Sequence, residues 1–370
     1  MQQVYMPFLY RRYCGFGKGT REIQKGLVLF ADSHTREGKI PFSMRRMYET
    51  VSSCPAYQVD TFITRFEDMG YGQMLRWIRG FMKQYAVAEY VFICDNFLPV
   101  SSCEKRPETT VVQLWHSGGI LKKSGYDTAD DIPKLYRGNV YKNYDLVTVS
   151  APELIPIFTK LMGLPEGTVK ATGISRSDWY FDEQWNRSMR EQFYRRYPEA
   201  EGRQVILWAP TFRGNAGSPR LYGMDEIKRV MERTKERYFW LLKLHPHLEG
   251  KGFFSNCDIP TEELLCVTDL LITDYSSVLF DYMAYEKPFV FFAPDLESYE
   301  KTRGFYLPYD SYPTTVVTGE GELEDAIAHE FSNRASQDIR EAYGFHMSCC
   351  DGHATERILS ILDMCREDAG

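Results

Sequence analysis

No stretch of this 370-residue sequence approaches the roughly 20 consecutive apolar residues of a membrane-crossing helix. The first apolar segment is short and broken by Pro7, so no signal peptide is read there either. The nine cysteines (14, 54, 94, 103, 257, 266, 349, 350 and 365) form no CxxC pair, and several sit inside apolar runs such as Tyr90–Cys94. They read as reduced, mostly buried thiols. No tract concentrates Gly, Pro and Ser, which excludes a long low-complexity linker, and no repeat occurs at solenoid periods. A cytoplasmic protein is expected.

Positive charge does not dominate. The net charge is −7, which argues against nucleic acid as a partner because such binding rests on phosphate neutralisation. The halves differ, however: residues 1–170 hold 22 basic and 17 acidic residues (+5), and residues 171–370 hold 22 and 34 (−12). The first half is therefore the one suited to facing anions.

A chain of 370 residues with 44% hydrophobic composition is long enough for two cores. Short apolar runs alternate with helical patterns: Gly26–Ala31, Gln58–Thr64, Tyr90–Cys94, Thr110–Trp115 and Asp145–Ser150 in the first half, then Thr168–Thr172, Gln204–Ala209, Tyr238–Leu244, Asp269–Thr273 and Pro288–Phe292. That alternation predicts two doubly wound α/β domains with parallel sheets. Met74, Leu75, Ile78, Phe81, Met82 and Tyr85 share one helical face, with Arg76, Arg79 and Lys83 on others, so this segment is expected to pack on a sheet. Turn residues around Leu164–Gly167 place the boundary near 165, giving domains 1–165 and 166–345. A last helix over Ala354–Glu367, with Ile358, Leu359, Ile361 and Leu362 on its apolar side, has no strand after it. The segment 346–370 is expected to pack on an existing core, as by crossing back to the first domain.

Four segments carry candidate chemistry. Gln113–Lys123 runs from a strand into His116, Ser117, Gly118 and Gly119 and then Lys122 and Lys123. The carboxyl end of a parallel strand is where open α/β sheets bind ligands, and histidine accepts a hydroxyl proton near neutral pH. Paired glycines admit a ligand close to the backbone, and the lysines attract phosphate. Trp240–His247 repeats the pattern with His245. The His245-x-His247 spacing suggests a metal only superficially, because no cysteine or carboxylate cluster completes a site. In Asp269–Asp281, a strand ending in Thr273 and Asp274 is followed by Ser276 and Ser277, then Asp281, where a helix start is expected to receive a diphosphate. In Leu207–Gly214, Pro210, Thr211 and Arg213 close another strand, and the guanidinium fork of Arg213 is a candidate phosphate ligand. Gly15–Thr20 imitates a phosphate loop, but Gly19 follows Lys18 where Ser or Thr is needed, and the segment reads as a turn.

Taken in series, Gln113–Lys123, Ala209–Arg213, Lys243–Pro246 and Ile272–Asp281, with Lys287–Asp295 and Arg303–Tyr306, resemble the CDP-glycerol glycerophosphotransferase family of teichoic-acid and capsule synthesis, over roughly residues 26–345. The resemblance implies a GT-B fold, two Rossmann-like domains facing a central cleft. It assigns the catalytic histidines to His116 and His245 and the phosphate-binding hydroxyls to Ser276 and Ser277. Ser117 stands where the family often has Gly or Ala, which leaves the loop shape and acceptor choice open. The implied reaction moves glycerol phosphate or another polyol phosphate from CDP-glycerol or CDP-ribitol to a polyprenyl-diphosphate-linked acceptor, releasing CMP. No obligatory cofactor or metal ligand is implied, while assistance from Mg²⁺ stays open, as does the oligomeric state. The alternatives are a GT-B glycosyltransferase or epimerase acting on a nucleotide sugar, and a non-enzymatic membrane-associated assembly subunit. Val4–Tyr13 mixes aromatics with arginines, suiting either a bilayer interface or an arm packed on the first domain, so a peripheral place on the inner membrane face is expected.

Overall fold

The computed structural model describes residues 4–15, 21–128, 131–132, 136–214, 220–244, 256–333 and 336–365. All ten apolar runs form strands. In the first half these are β1 (Gln24–Asp32), β2 (Gln58–Ile63), β3 (Ala88–Ile93), β4 (Thr110–Gln113), β5 (Leu146–Val149) and β6 (Val169–Ala171). They make one sheet in the order β2-β1-β3-β4-β5-β6, every pair parallel. In the second half, β7 (Gln204–Trp208), β8 (Tyr238–Leu242), β9 (Leu270–Thr273), β10 (Phe289–Phe292) and β11 (Thr315–Val317) make another, also all parallel, in the order β11-β10-β9-β7-β8. The central strands, such as β4, β5, β9 and β10, are nearly continuous buried runs, as expected where a parallel sheet is covered on both faces, whereas the edge strand β2 buries only Ile63.

The run Thr168–Thr172, expected to open the second domain, instead forms β6 and bonds to β5, Val147 opposite Val169. Pairing partner, not place in the sequence, decides a strand's sheet. The chain accordingly divides into two compact units that differ from a cut at 165. One unit comprises residues up to His116, Ser124–Asp178 and the chain from Ser348 on; the other comprises Ser117–Lys123 and Trp179–Met347.

In the first unit, helices α1 (Tyr5–Tyr13), α2 (Phe42–Ser53) and α3 (Tyr71–Tyr85) flank the sheet. The expected face of α3 is buried at Ile78, Phe81, Met82 and Tyr85, while Arg76, Arg79 and Lys83 are exposed. Helix α1 packs on α3, with Tyr10 and Tyr85 ring centroids 4.9 Å apart and Arg79 donating to the Tyr5 hydroxyl at 2.6 Å. The opposite side of α1 leaves Val4 77% and Phe8 59% exposed, so the segment is a packed arm with an apolar outer edge. No helix among the described residues is long and apolar enough to cross a membrane. All nine cysteines are free.

The last helix spans Ala354–Ile361, shorter than expected, and the chain turns at Asp363, whose φ of 55° is left-handed. Ile358 and Leu359 complete the core under β1, β3 and β4, whereas Ile361 is 52% exposed. Its first turn is fixed by Asp178, whose carboxylate accepts from the backbone N–H of Ala354 at 2.9 Å and of Thr355 at 2.8 Å. Arg357 donates back to the carbonyl of Thr172 at 2.9 Å.

Because those two buried amides have no water to turn to, Asp178→Ala is expected to destabilise the first unit by about 1–2 kcal/mol. A urea titration followed by tryptophan fluorescence tests this; an unchanged midpoint would show that the cap contributes nothing.

Candidate functional site

Strand β4 ends at Gln113, and the chain then bends sharply. Trp115 sits at φ 56°, a left-handed conformation that costs a non-glycine residue roughly 1–3 kcal/mol. It is held there by its buried ring against Phe158, 5.6 Å away, and by donation of its N–H to Gln113 Oε1 at 3.0 Å. The bend delivers the His116 side chain, 42% exposed, to the carboxyl edge of the sheet.

The Nδ1 of His116 lies 3.2 Å from the carbonyl oxygen of Cys94, just beyond β3. A carbonyl only accepts, so this partner assigns the proton to Nδ1 and leaves the lone pair on Nε2. Asp95 Oδ1 stands 3.8 Å from Nδ1, too far for a hydrogen bond. The tautomer of this ring is thus set by a carbonyl at the end of the neighbouring strand.

Immediately after His116, Ser117–Lys123 group with the second unit. There the backbone is clamped: Tyr312 donates to the carbonyl of Ile120 at 2.6 Å, Tyr306 N–H to that of Leu121 at 3.0 Å, and Arg303 Nε to that of Lys123 at 2.9 Å. Lys122 forms an isolated bridge with Phe305. Gly119 is required by this packing, since its φ is +58° and a Cβ would lie 2.3 Å from the Phe280 ring. Closeness to a side chain, rather than to a ligand, explains that glycine. Gly118 is also buried, and Ser117 half-buried.

The largest correction concerns Arg213. It is only 8% exposed, and its guanidinium faces inward: Nε to Asp295 Oδ2 at 2.8 Å, Nη2 to Asp295 Oδ1 at 2.7 Å and to Asp274 Oδ2 at 3.0 Å. Tyr275 and Tyr299 cover it at 4.5 and 5.0 Å from their ring centroids. Two carboxylates thus occupy the fork that was expected to hold phosphate. Asp274 is likewise committed, its Oδ1 accepting from the N–H groups of Thr211 at 2.7 Å and Tyr275 at 2.6 Å. Thr273 donates to the carbonyl of Ala209 at 2.7 Å. The cluster ties the ends of β7, β9 and β10 together.

Burial opposes ionisation of Asp295, but hydrogen bonds and charge from Arg213 and the hydroxyl of Tyr275 outweigh it and hold the carboxyl below its ordinary range. Burial also opposes the charge on Arg213, and the two aspartates more than restore it, raising its pKa.

Ser276 and Ser277 precede the six-residue helix Val278–Met283 and are half-buried. Ser277 makes no cap hydrogen bond, and Ser276 Oγ reaches the N–H of Val278 only at 3.4 Å, so capping does not consume their hydroxyls. A helix this short contributes little dipole, which shifts any phosphate contact onto the hydroxyls. Pro210 is buried, and the enclosed Thr211 Oγ1 makes no hydrogen bond. Asp281, 1% exposed, belongs to the interior rather than to a ligand surface. His245, His247 and residues 16–20 of the glycine turn lie outside the described residues. No group of three or more His, Cys, Asp and Glu able to hold a metal occurs among the described residues.

A family model described as CDP-Glycerol:Poly(glycerophosphate) glycerophosphotransferase matches residues 55–363. The chain belongs to this family. It is an enzyme of the glycerophosphotransferase type, using a CDP-activated donor, built on two Rossmann-like domains of the GT-B class. The teichoic acid ribitol-phosphate primase of Bacillus spizizenii is 28% identical over 351 residues, 88% of each chain. The teichoic acid glycerol-phosphate primase of Bacillus subtilis is 33% identical over 296 residues, 74% of this chain and 73% of its own. The chain spans only 56% of the ribitol-phosphate polymerase TarK of Staphylococcus aureus, at 31% identity. Among solved structures, the wall teichoic acid polymerase TagF superposes with a TM-score of 0.71 at 19% identity, covering 92% of this chain and 89% of that one. The UDP-GlcNAc 2-epimerase of Neisseria meningitidis, at 12% identity, covering 91% and 98% with a TM-score of 0.57, shares the fold alone.

One residue of this glycerophosphotransferase was not singled out from sequence. Arg176, 9% exposed, donates Nη1 to the carbonyl oxygen of His116 at 2.5 Å and lies over the Phe42 ring, 5.7 Å from its centroid. An arginine between two serines carries no motif. The nearest signal is that Ile174-Ser175-Arg176-Ser177-Asp178 follows a strand directly, where α/β ligand sites lie.

Arg213→Ala would leave Asp274 and Asp295 buried without their cation, and a loss of about 3–5 kcal/mol is expected, read as a drop in thermal midpoint. In the native protein a carboxyl with a depressed pKa stabilises the fold above its unfolded value of about 3.9, and that contribution is lost as pH falls through the folded value. Stability attributable to Asp295 should therefore hold at neutral pH and fade below about pH 4. An Arg213→Ala variant as stable as the parent would refute the clamp.

Proposed function

We propose that this glycerophosphotransferase moves glycerol phosphate, or another polyol phosphate such as ribitol phosphate, from its CDP-activated donor onto a hydroxyl of a membrane-linked wall or capsule polymer. The single observation that carries the reading is the His116 imidazole, whose Nδ1 faces the Cys94 carbonyl and whose Nε2 keeps the lone pair. The acceptor hydroxyl gives its proton to Nε2 as its oxygen attacks the distal phosphorus of the donor. The bond from that phosphorus to the bridging oxygen breaks, CMP departs with the electron pair, and a phosphodiester remains. Asp95 Oδ1 lies 3.8 Å from the same Nδ1. Ser276 and Ser277, whose hydroxyls are not used as caps, serve the diphosphate, and His245 serves the departing charge. Arg213 takes no part in phosphate binding here; it fixes the loop that presents Thr211.

A lipid-linked acceptor brings a membrane surface with it. Support comes from the outer edge of α1, where Val4 and Phe8 are exposed on the same short segment as the exposed Arg11 and Arg12. Apolar side chains framed by cations are the composition of an interfacial helix.

His116→Ala is expected to lower CMP release from CDP-glycerol in the presence of acceptor by about 10²–10⁴-fold, with donor affinity by calorimetry within about twofold. Turnover near the parent rate would show that another group is the base. Reversing Arg11 and Arg12 to glutamate should weaken binding to phosphatidylglycerol vesicles by about tenfold or more, since each cation near such a surface is worth about 1 kcal/mol. Equal cosedimentation of parent and variant would remove α1 from the membrane contact.

A further inference from the structure

The first unit contains an open groove of about 430 Å³ lined by Glu37, Thr64, Arg65, Asp68, Met69, Gln73, Arg76 and Trp77. Glu37 comes from the loop after β1, Thr64 to Met69 from the loop after β2, and the rest from the first turns of α3. The groove therefore opens on the carboxyl edge of the sheet, the edge that also carries His116. Its size falls within the range of small-molecule sites.

The walls are fixed. The loop after β1 is held by the Asp32 carboxylate, which accepts from the N–H groups of His34 at 3.0 Å and Thr35 at 2.7 Å. Arg65 Nε donates to the carbonyl of His34 at 3.3 Å, and the two residues form an isolated bridge. Trp77 is stacked on Phe81 with ring centroids 5.8 Å apart and planes 9° apart, and Phe66 meets its edge at 5.1 Å. Its indole is consequently a rigid wall rather than a mobile side chain.

The chemistry of the lining selects its ligand. Two guanidiniums stand with two carboxylates, Arg65 and Asp68 only 3.9 Å apart, so a polyanion gains no net attraction and the groove is a poor phosphate site. What it does present is both donors (Arg65, Arg76, Gln73) and acceptors (Glu37, Asp68, Gln73) beside one aromatic surface, Trp77. That pattern suits a chain of hydroxyls on carbon, which both donates and accepts at each position and packs its C–H faces on indole. We propose that this groove is the acceptor subsite of the enzyme and that it binds the polyhydroxylated part of the acceptor, a sugar or a polyol. The inference rests on the transfer reaction proposed above.

Distance agrees with this assignment. From β2 through β1 and β3 to β4 is three strand spacings, about 14 Å. A hydroxyl at His116 and a unit in the groove thus belong to one acceptor spanning several units, and not to a single small alcohol.

The test uses Arg76→Ala and Glu37→Ala in the full chain, both exposed positions whose loss leaves the core intact. Two soluble, uncharged acceptors are compared, an alkyl N-acetylhexosaminide and an alkyl ether of ribitol, with CMP release as the assay and calorimetry as a direct binding measurement. The expected result is an acceptor KM raised about tenfold or more for at least one of the two, with the donor KM within about twofold, since hydrogen bonds to charged groups are being removed. The acceptor whose KM responds identifies sugar or polyol as the occupant. Unchanged acceptor KM and affinity in both variants would overturn the subsite while leaving the transfer reaction standing. Should the parent release no CMP from any CDP-polyol, the reaction itself fails, and calorimetry with the same acceptors still decides whether the groove binds them.

Discussion

Every strand pair among the described residues is parallel, and that constraint governs where the enzyme's chemistry is possible. A parallel ladder has to be re-entered from the same end after each crossover, so all carboxyl ends of a sheet share one edge, and the loops leaving them lie side by side. In the first unit that edge gathers Asp32, Arg65, Asp95 and His116 from four different strands. None of these side chains is near the others in sequence. The ladder alone brings a carbonyl from the end of β3 against an imidazole from the end of β4, and so selects which ring nitrogen stays basic.

The same edge of the second sheet is used in the opposite way. Where the first leaves side chains half-exposed, the second folds its charges inward: Arg213 with Asp274 and Asp295, roofed by Tyr275 and Tyr299. Such a buried ionic cluster gives little net stability, since desolvation cancels much of the attraction, but it is unforgiving of misplacement. Its product is geometry, a loop after β7 and a loop after β9 locked at one spacing. The serine pair leaving β9 inherits that precision, and the hydroxyls remain available because the helix that follows does not consume them.

Most of the fold was legible because burial on both faces writes apolar runs into the sequence, and ten strands followed from them. The eleventh, Thr315–Val317, has three residues and no run to read. Sheet membership was less visible: nothing in Thr168–Thr172 says that its partner is β5, because hydrogen-bond partners are a property of the fold and not of composition. The candidate site could be singled out only where a motif lies on one continuous segment, as at His116 and at Ser276-Ser277, and the roles of those residues belong to the proposed reaction. It was misread at Arg213, whose partners lie 61 and 82 residues away, and it was silent at Arg176, whose contact is a backbone carbonyl 60 residues upstream. A long-range electrostatic partner leaves no local trace, so a free guanidinium and a clamped one look alike in sequence.

The helix Ala354–Ile361 sets an order on biosynthesis. The core beneath β1, β3 and β4 is closed by Ile358 and Leu359, and the segment holding the His116 carbonyl is bound to that same helix through Asp178 and Arg357. While the chain leaves the ribosome, the part made first lacks its closing layer until Leu359 has been added and has emerged. Trp179–Met347, by contrast, is contiguous and holds nearly all of its unit before that point. The later-synthesised half can thus mature earlier, and the nascent first half must wait with an apolar face uncovered, the condition in which a chaperone finds its clients.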